Sequence, residues 1–156
     1  MRRLSIPLLA CALLAPVLLG AGCGESGVAS GATVTVYAAA PLCRSAEGEL
    51  AREGASAGGV RVQIACLPPV ERHGRADLAT AGANARRATQ DSTTIAYLEA
   101  PGPAAKFSAT IVEAANIAWV FTNSGSTAIH STLKALEERG SSSPRDAVRE
   151  SFESSS

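Results

Sequence analysis

The chain has 156 residues, and its 14 Lys and Arg residues balance 14 Asp and Glu residues, so the formal net charge is zero. It carries no basic stripe with interleaved aromatic residues, which excludes the usual signature of a nucleic-acid-binding domain. Aromatic residues make up only 4% of the chain, so a core must be close-packed from Ala, Val, Ile and Leu.

Residues 1–22 have the layout of a secretory signal peptide. Arg2 and Arg3 precede an apolar stretch, Leu4–Leu19, and small residues then lead to Cys23. The apolar stretch is interrupted by prolines and is short for a membrane helix, which needs about 20 apolar residues. We therefore expect export and removal of residues 1–22, with a retained membrane helix as the alternative.

The segment "LLGAGC", which ends at Cys23, resembles the lipobox of bacterial lipoproteins. The resemblance implies that Cys23 is lipidated, becomes the first residue, and anchors the protein to the outer face of the cell membrane, since several acyl chains together hold firmly. Residues 23–32 are small and polar and predict a flexible tether. We expect one folded domain over residues 33–152 and a frayed tail at 153–156.

Two cysteines, Cys43 and Cys66, remain for the folded domain, because Cys11 lies in the signal peptide and Cys23 is the lipidation candidate. An exported protein meets oxidising conditions, so these two are expected to form one disulfide. Neither belongs to a C-x-x-C pair and no histidine cluster accompanies them. We therefore predict no metal site.

Four short runs rich in Val, Ile, Thr and aromatic residues predict β-strands. They are Thr33–Ala39, Val60–Leu67, Thr93–Ala100 and Ile117–Thr122. The first, third and fourth are almost continuously apolar, as in strands that a parallel sheet buries on both faces. In the second, Val60, Val62 and Ile64 alternate with polar residues, which predicts an edge strand with one solvent-exposed face.

Helical segments separate these runs. The segment Cys43–Ser56 is rich in Ala and Glu and is expected to stop at Gly58-Gly59. The segment Arg75–Asp91 begins with Asp77 as a predicted N-cap. Its predicted apolar stripe consists of Leu78, Ala81, Ala85 and Ala88.

The third helical segment is Pro103–Ile117. Pro103 is tolerated in a first helical turn, and Asn116 stands where a left-handed cap is expected. Phe107, Ile111 and Ala115 recur at four-residue spacing.

Two more helical segments follow the fourth strand, with Ser124-Gly125-Ser126 as a loop and helix cap. Their apolar residues are Ile129, Leu133 and Leu136, then Val148 and Phe152. Strands that alternate with helices imply parallel strands and right-handed crossovers. We therefore predict an α/β fold: a small, doubly wound, mostly parallel sheet of about four strands with helices on both faces.

The order of features in Asp77–Val120 resembles the first lobe of the type I periplasmic binding proteins, which include the leucine/isoleucine/valine receptors of ABC importers. The matching pieces are Ala85-Arg86-Arg87, the strand Thr94–Leu98, the turn Pro101-Gly102-Pro103, the helix end Glu113–Ile117, and "APLC" at Ala40–Cys43. The resemblance implies a single lobe that binds a small amino-acid-like solute. Importer membrane subunits, or a second lobe or copy, would then be its partners.

The Pro101–Pro103 turn is the candidate binding site, because ligands of open α/β sheets collect beyond the carboxyl ends of the strands. Gly102 and the backbone N–H groups of Ala104, Ala105 and Lys106 would face an anion at the start of the helix, with an amino-acid carboxylate as the expected ligand. The alternative is a stiff connector, because Glu99 opposes an anion and Pro103 has no N–H to donate.

No catalytic motif occurs: there is no G-x-S-x-G elbow, P-loop, Rossmann fingerprint or H-E-x-x-H, and His73 and His130 are isolated. We expect no enzyme activity and no cofactor. The leading hypothesis is a lipid-anchored, extracytoplasmic solute-binding protein related to branched-chain amino-acid receptors of ABC transporters. The alternatives are an envelope lipoprotein that acts as a scaffold or interaction module, and a truncated remnant without ligand binding.

Overall fold

The computed structural model describes residues 31–154, apart from the side chain of Arg72. The predicted signal peptide at 1–22, Cys23, most of the tether and the last two residues of the predicted tail lie outside the described residues. Within residues 31–154, no helix combines the length and the apolar character that crossing a bilayer requires.

The predicted α/β fold is confirmed, and each of the four predicted strands occurs at nearly its predicted bounds. The elements are β1 (Thr33–Ala38), α1 (Ala40–Glu53), β2 (Ser56–Ala57), β3 (Val60–Cys66), β4 (Glu71–Arg72), β5 (Arg75–Ala76), α2 (Leu78–Gln90), β6 (Thr94–Glu99), α3 (Ala105–Ala114), β7 (Ala118–Phe121), α4 (Gly125–Glu138) and α5 (Pro144–Glu153).

The main sheet has the order β2-β3-β1-β6-β7. Its four longer strands are parallel, and the two-residue β2 runs antiparallel to β3. The predicted wet face of β3 is present, since Val60 and Val62 are buried while Arg61 and Gln63 are exposed. The sheet has one strand more than expected because β2 covers the first residues of β3, which is therefore not the outermost strand.

Helices cover both faces of the sheet. Helices α1, α4 and α5 pack on one face, and α2 and α3 pack on the other. Alternate residues of the central strands enter the two cores: Val36 and Leu98 join the first, while Tyr37 and Tyr97 join the second. The doubly wound arrangement follows from strands with apolar residues on both faces.

Helix α1 differs from its predicted bounds. It begins at Ala40, with Pro41 in the first turn, and ends at Glu53 because Gly54 leaves the helix with a φ of 93°. Gly58 and Gly59 do not stop the helix as predicted. With φ values of 54° and 79° they form the tight turn between β2 and β3, a conformation that favours glycine.

The cap predictions for the later helices are confirmed. Asp77 accepts a hydrogen bond from the Thr80 backbone N–H at 3.0 Å, and Ser124 accepts one from the Thr127 N–H at 3.2 Å. Asn116 has a φ of 57°, which places it in the left-handed region as expected. Helix α5 runs through Glu153, the first residue of the predicted tail, and a frayed tail at 153–156 stays a prediction.

The predicted apolar stripes are confirmed in part. In α2, Ala81, Ala85 and Ala88 are buried, but Leu78 is 48% exposed. Phe107 in α3 is 45% exposed, and its ring edge covers Gly82, where an added Cβ would lie 3.1 Å from Phe107 Cε1. Leu78 and Phe107 occupy the first turns of their helices, beside the loops at the carboxyl end of the sheet, and are therefore only partly covered.

The apolar residues predicted for the last two helices pack in the first core. Ile129, Leu133, Leu136 and Val148 are buried, and Phe152 is partly buried against them. Helix α4 lies beside α1, and α5 lies over β6 and β7. The two C-terminal helices therefore complete the face that α1 alone would leave open.

Candidate functional site

A pocket opens at the centre of the sheet, where the order in which the strands are added reverses between β1 and β6. Strands β1 and β6 are neighbours, but β1 connects through α1 to β3 on one side, while β6 connects through α3 to β7 on the other. The two connections leave from opposite faces, so a crevice forms outside the carboxyl ends of β1 and β6. Crevices at such switch points are the common ligand sites of open α/β sheets.

We call this crevice the switch-point pocket. It has a volume of about 160 Å³ and is lined by residues 39–41, 68–71 and 99–105. Wider grooves of about 530 and 500 Å³ lie beside β7 and at the amino ends of β1 and β6. We favour the smaller pocket as the site because it lies at the switch point and contains a buried carboxyl group.

The predicted ligand-binding residues are only partly brought together. Gly102, Ala104 and Ala105 line the switch-point pocket, whereas Lys106 is exposed and is not one of the lining residues. Helix α3 begins at Ala105, and the Ala105 N–H donates to the Gly102 carbonyl oxygen at 3.2 Å. The expectation of a free N–H at Ala105 is therefore wrong, because the turn itself uses that donor.

Glu99 is the most buried ionisable group of the pocket. It ends β6, it is only 3% exposed, and its carboxyl contacts the hydroxyl of Ser108 on α3. The Ser108 hydroxyl also lies 2.9 Å from the Ala105 carbonyl oxygen, which can only accept. Since a hydroxyl has one hydrogen, both contacts are satisfied at once when Glu99 is protonated and donates to Ser108.

Burial raises the pKa of Glu99 above its ordinary value of 4.5, because the charged form loses hydration. When Glu99 is ionised, Ser108 and the Ala100 N–H can instead donate hydrogen bonds to its carboxylate, and these oppose the shift without reversing it. Burial likewise raises the pKa of Tyr97, and the charge of nearby Glu99 adds to that shift. The neutral form of Glu99 is therefore favoured over a wider pH range than that of an exposed Glu.

A second carboxyl group, Glu71, lies at the rim of the pocket. Its side chain is close to Gly102, since an added Cβ there would be 3.9 Å from Glu71 Oε1. Among the described lining residues, Glu71 and Glu99 are the ionisable ones, and none is Lys, Arg or His. The pocket therefore opposes an anion and favours a cation, unlike the amino-acid carboxylate that the helix start had suggested.

The predicted disulfide is present and supports one wall of the pocket. Cys43 in α1 and Cys66 at the end of β3 are joined, with their Cα atoms 5.6 Å apart. Directly after Cys66, the Leu67 N–H donates to the Ala38 carbonyl oxygen at 2.9 Å. The bridge and this hydrogen bond hold the start of the 68–71 segment beside the carboxyl end of β1.

Other ionisable clusters have structural explanations. His130 is exposed, and its Nδ1 lies 2.6 Å from Glu53 Oε1. Glu49 lies beside this pair and contacts Arg52. Cys66 Sγ lies 3.5 Å from Glu47 Oε1, but its sulfur is already bonded in the disulfide, so it is not a thiolate ligand.

Ser108 and Glu71 are site residues that were not predicted from the sequence. The helical spacing of Ala105, Ser108 and Val112 is the sequence pattern that places Ser108 on one face of the helix. The structure buries all three residues. Glu71 carried no such signal. Its position depends on the short β4–β5 hairpin, whose turn includes His73 with a φ of 51°, and a two-residue strand leaves too little pattern to predict.

No family model, curated protein or solved structure matches this chain. The likeness to the first lobe of type I periplasmic binding proteins therefore remains a prediction from its sequence pattern.

Proposed function

We propose that this chain is an exported, lipid-anchored solute-binding protein related to the branched-chain amino-acid receptors of ABC importers. It holds a small amino-acid-like solute in the switch-point pocket, is not an enzyme, and is attached to the outer face of the membrane through Cys23. The observation that carries this proposal is the position of the pocket at the carboxyl ends of β1 and β6, which flank the only reversal of strand order among the described parallel strands.

The rigidity of the pocket walls supports binding. Five of the lining residues are prolines: Pro41, Pro68, Pro69, Pro101 and Pro103. Proline fixes φ, and the Cys43–Cys66 bridge restrains the same region. Walls that are ordered before the ligand arrives reduce the entropic cost of binding.

The small volume limits the solute. A pocket of about 160 Å³ is below the range of about 300–1,000 Å³ that is usual for drug-sized ligands. It accommodates a small solute, or the part of a solute that a second lobe or copy does not cover. Importer membrane subunits or such a second copy are the partners that this proposal implies.

Calorimetric titration of the purified exported protein with a panel of small amino acids tests the proposal. We expect saturable heat with at least one member, and its loss in Gly102→Leu, which places a side chain at the pocket rim. Gly48→Leu is the matched control, because Gly48 is an exposed helical glycine with nothing within 4 Å of an added Cβ. Absence of heat with every member at millimolar concentration would contradict solute binding.

A second candidate, an interaction module, is favoured by the outer edge of β7. This strand ends the sheet within the described residues. Its last residue, Phe121, is 54% exposed and is stacked on Trp119 of the same strand, with ring centroids 5.5 Å apart. Trp119 Nε1 is buried without a hydrogen-bond partner in the described part of the chain. Open strand edges pair readily with other chains, and here the proposed partner is a second copy that pairs through the same strand.

Light scattering tests the second candidate. Pairing through β7 predicts a dimer of the wild-type protein that Phe121→Lys disrupts. Leu78→Lys is the matched control, because Leu78 is similarly exposed at 48% but lies on α2. A wild-type monomer would argue against the second candidate and leave solute binding unaffected.

A further inference from the structure

We propose that the switch-point pocket recognises the ammonium group of a small aliphatic amine, with Glu99 as its counter-ion and Glu71 as a second carboxylate at the pocket rim. This inference rests on the proposed function, since it names the chemical class that the same pocket binds. It replaces the carboxylate that the sequence suggested at this place with the opposite charge.

The distribution of charge in the pocket is the first reason. Glu71 and Glu99 are its ionisable lining residues, and the other described lining residues are Pro, Ala, Gly and Val. Lys106, which lies in the first turn of α3, is exposed and is not one of the lining residues. A ligand carboxylate would therefore meet two carboxyl groups and no cation among the described lining residues, while an ammonium group would meet two acceptors.

The burial of Glu99 is the second reason. At 3% exposure, its ionised form lacks hydration, and its described hydrogen-bond partners, the Ser108 hydroxyl and the Ala100 N–H, are both neutral. A buried charge is tolerated when it is paired. An ammonium ion that enters from the open side of the pocket supplies the opposite charge that the described lining residues do not provide.

The pocket walls indicate a primary rather than a quaternary ammonium group. No described lining residue is aromatic, so the pocket lacks the rings that form cages around quaternary ammonium ions. A primary ammonium instead brings three N–H donors, which suit the carboxylate oxygens of Glu99 and Glu71. The proline and alanine walls then favour a short aliphatic substituent.

Calorimetry with three matched probes, each with a short carbon chain, tests this inference. Ethylamine carries an ammonium group, propionate carries a carboxylate, and L-alanine carries both. We expect ethylamine and L-alanine to bind at neutral pH and propionate not to bind. Glu99→Gln should weaken the ammonium-bearing probes at least tenfold, and Glu71→Gln should weaken them less because Glu71 is exposed. Glu137→Gln, on an exposed face of α4 outside the pocket, is the control and should change nothing.

The outcomes separate the inference from the proposed function. Binding of propionate without ethylamine would overturn ammonium recognition but support solute binding at the pocket. Unchanged ethylamine affinity in Glu99→Gln would also overturn it. Failure of all three probes, and of the amino-acid panel, would overturn both ammonium recognition and solute binding.

Because Gln matches protonated Glu in shape and can still bond to Ser108, Glu99→Gln should fold, and circular dichroism verifies this. In the wild type, carbon-13 NMR of the labelled Glu99 carboxyl provides an independent readout, since pairing with ethylamine should shift its resonance.

Discussion

The backbone of Gly125, at the start of α4, lies directly against the backbone of Leu42 in α1. A Cβ added at Gly125 would collide with the Leu42 carbonyl oxygen and would lie 2.6 Å from Ser45 Oγ and 3.0 Å from the Ala46 nitrogen. The two helices therefore approach each other at a distance that only glycine permits. This close approach fixes α4 against α1, the helix that also carries Cys43.

Gly125→Ala should lower the free energy of unfolding by about 1–3 kcal/mol, the usual cost of overpacking a buried contact. Gly48→Ala is the matched control. Gly48 also lies in a helix, but nothing is within 4 Å of an added Cβ, so alanine should stabilise the protein by up to about 1 kcal/mol through helix propensity. Urea denaturation measures both changes. Equal effects of the two substitutions would show that the α1–α4 contact is looser than described.

Removal of the Cys43–Cys66 bridge should destabilise the domain. The two residues are separated by 23 positions, and closing a loop of that size contributes about 3 kcal/mol in the chain-entropy description. The double variant Cys43→Ser/Cys66→Ser should therefore unfold at a lower urea concentration than the oxidised wild type. Reducing agent should lower the stability of the wild type and leave the double variant unchanged. A response of the variant to reductant would point to another thiol.

The main strands could be predicted from the sequence because apolar, β-branched runs such as Thr94–Glu99 carry a strong local pattern. The caps at Asp77, Ser124 and Asn116 were predictable for a similar reason, since each depends on the chemistry of one residue. The site itself depends on contacts between distant segments. From the sequence, Glu99 is predictable only as a group that opposes an anion, because no local pattern shows that Ser108 and Glu71 reach the same crevice.

Loop and hairpin residues show the same limit. Gly58 and Gly59 were expected to end a helix, and glycine serves that purpose and a tight hairpin turn equally well. The pairing of Ala57 with Val60 across the turn determines that Gly58 and Gly59 form a hairpin turn rather than a helix end. Tertiary pairing of this kind is visible only once the register of neighbouring strands is known.

The His130–Glu53 pair predicts a measurable titration shift. The hydrogen bond and charge of Glu53 raise the pKa of His130 above its ordinary value of 6.5. The pair therefore contributes to stability below that value, and the contribution is lost as pH rises through the raised pKa. Glu53→Gln should return the pKa of His130 toward 6.5, as followed by proton NMR of the imidazole. Glu47→Gln, an exposed residue of the same helix, should leave it in place; an equal shift in both variants would exclude the specific pairing.

The buried carboxyl of Glu99 predicts that the ligand-free protein loses stability as pH rises. Its folded-state pKa is raised above 4.5 by burial. At pH values between 4.5 and this raised pKa, the folded state therefore binds more protons than the unfolded state. The free energy of unfolding should then fall as pH increases through this window and level off above the raised pKa.

Glu99→Gln removes the ionisation. The free energy of unfolding of the variant should therefore increase relative to that of the wild type as pH rises from about 4.5, the ordinary carboxyl value. Urea denaturation at a series of pH values measures this difference. Parallel stability curves for the two proteins would mean that Glu99 is hydrated in the folded state, which would also remove its unpaired charge as a reason to bind an ammonium ion.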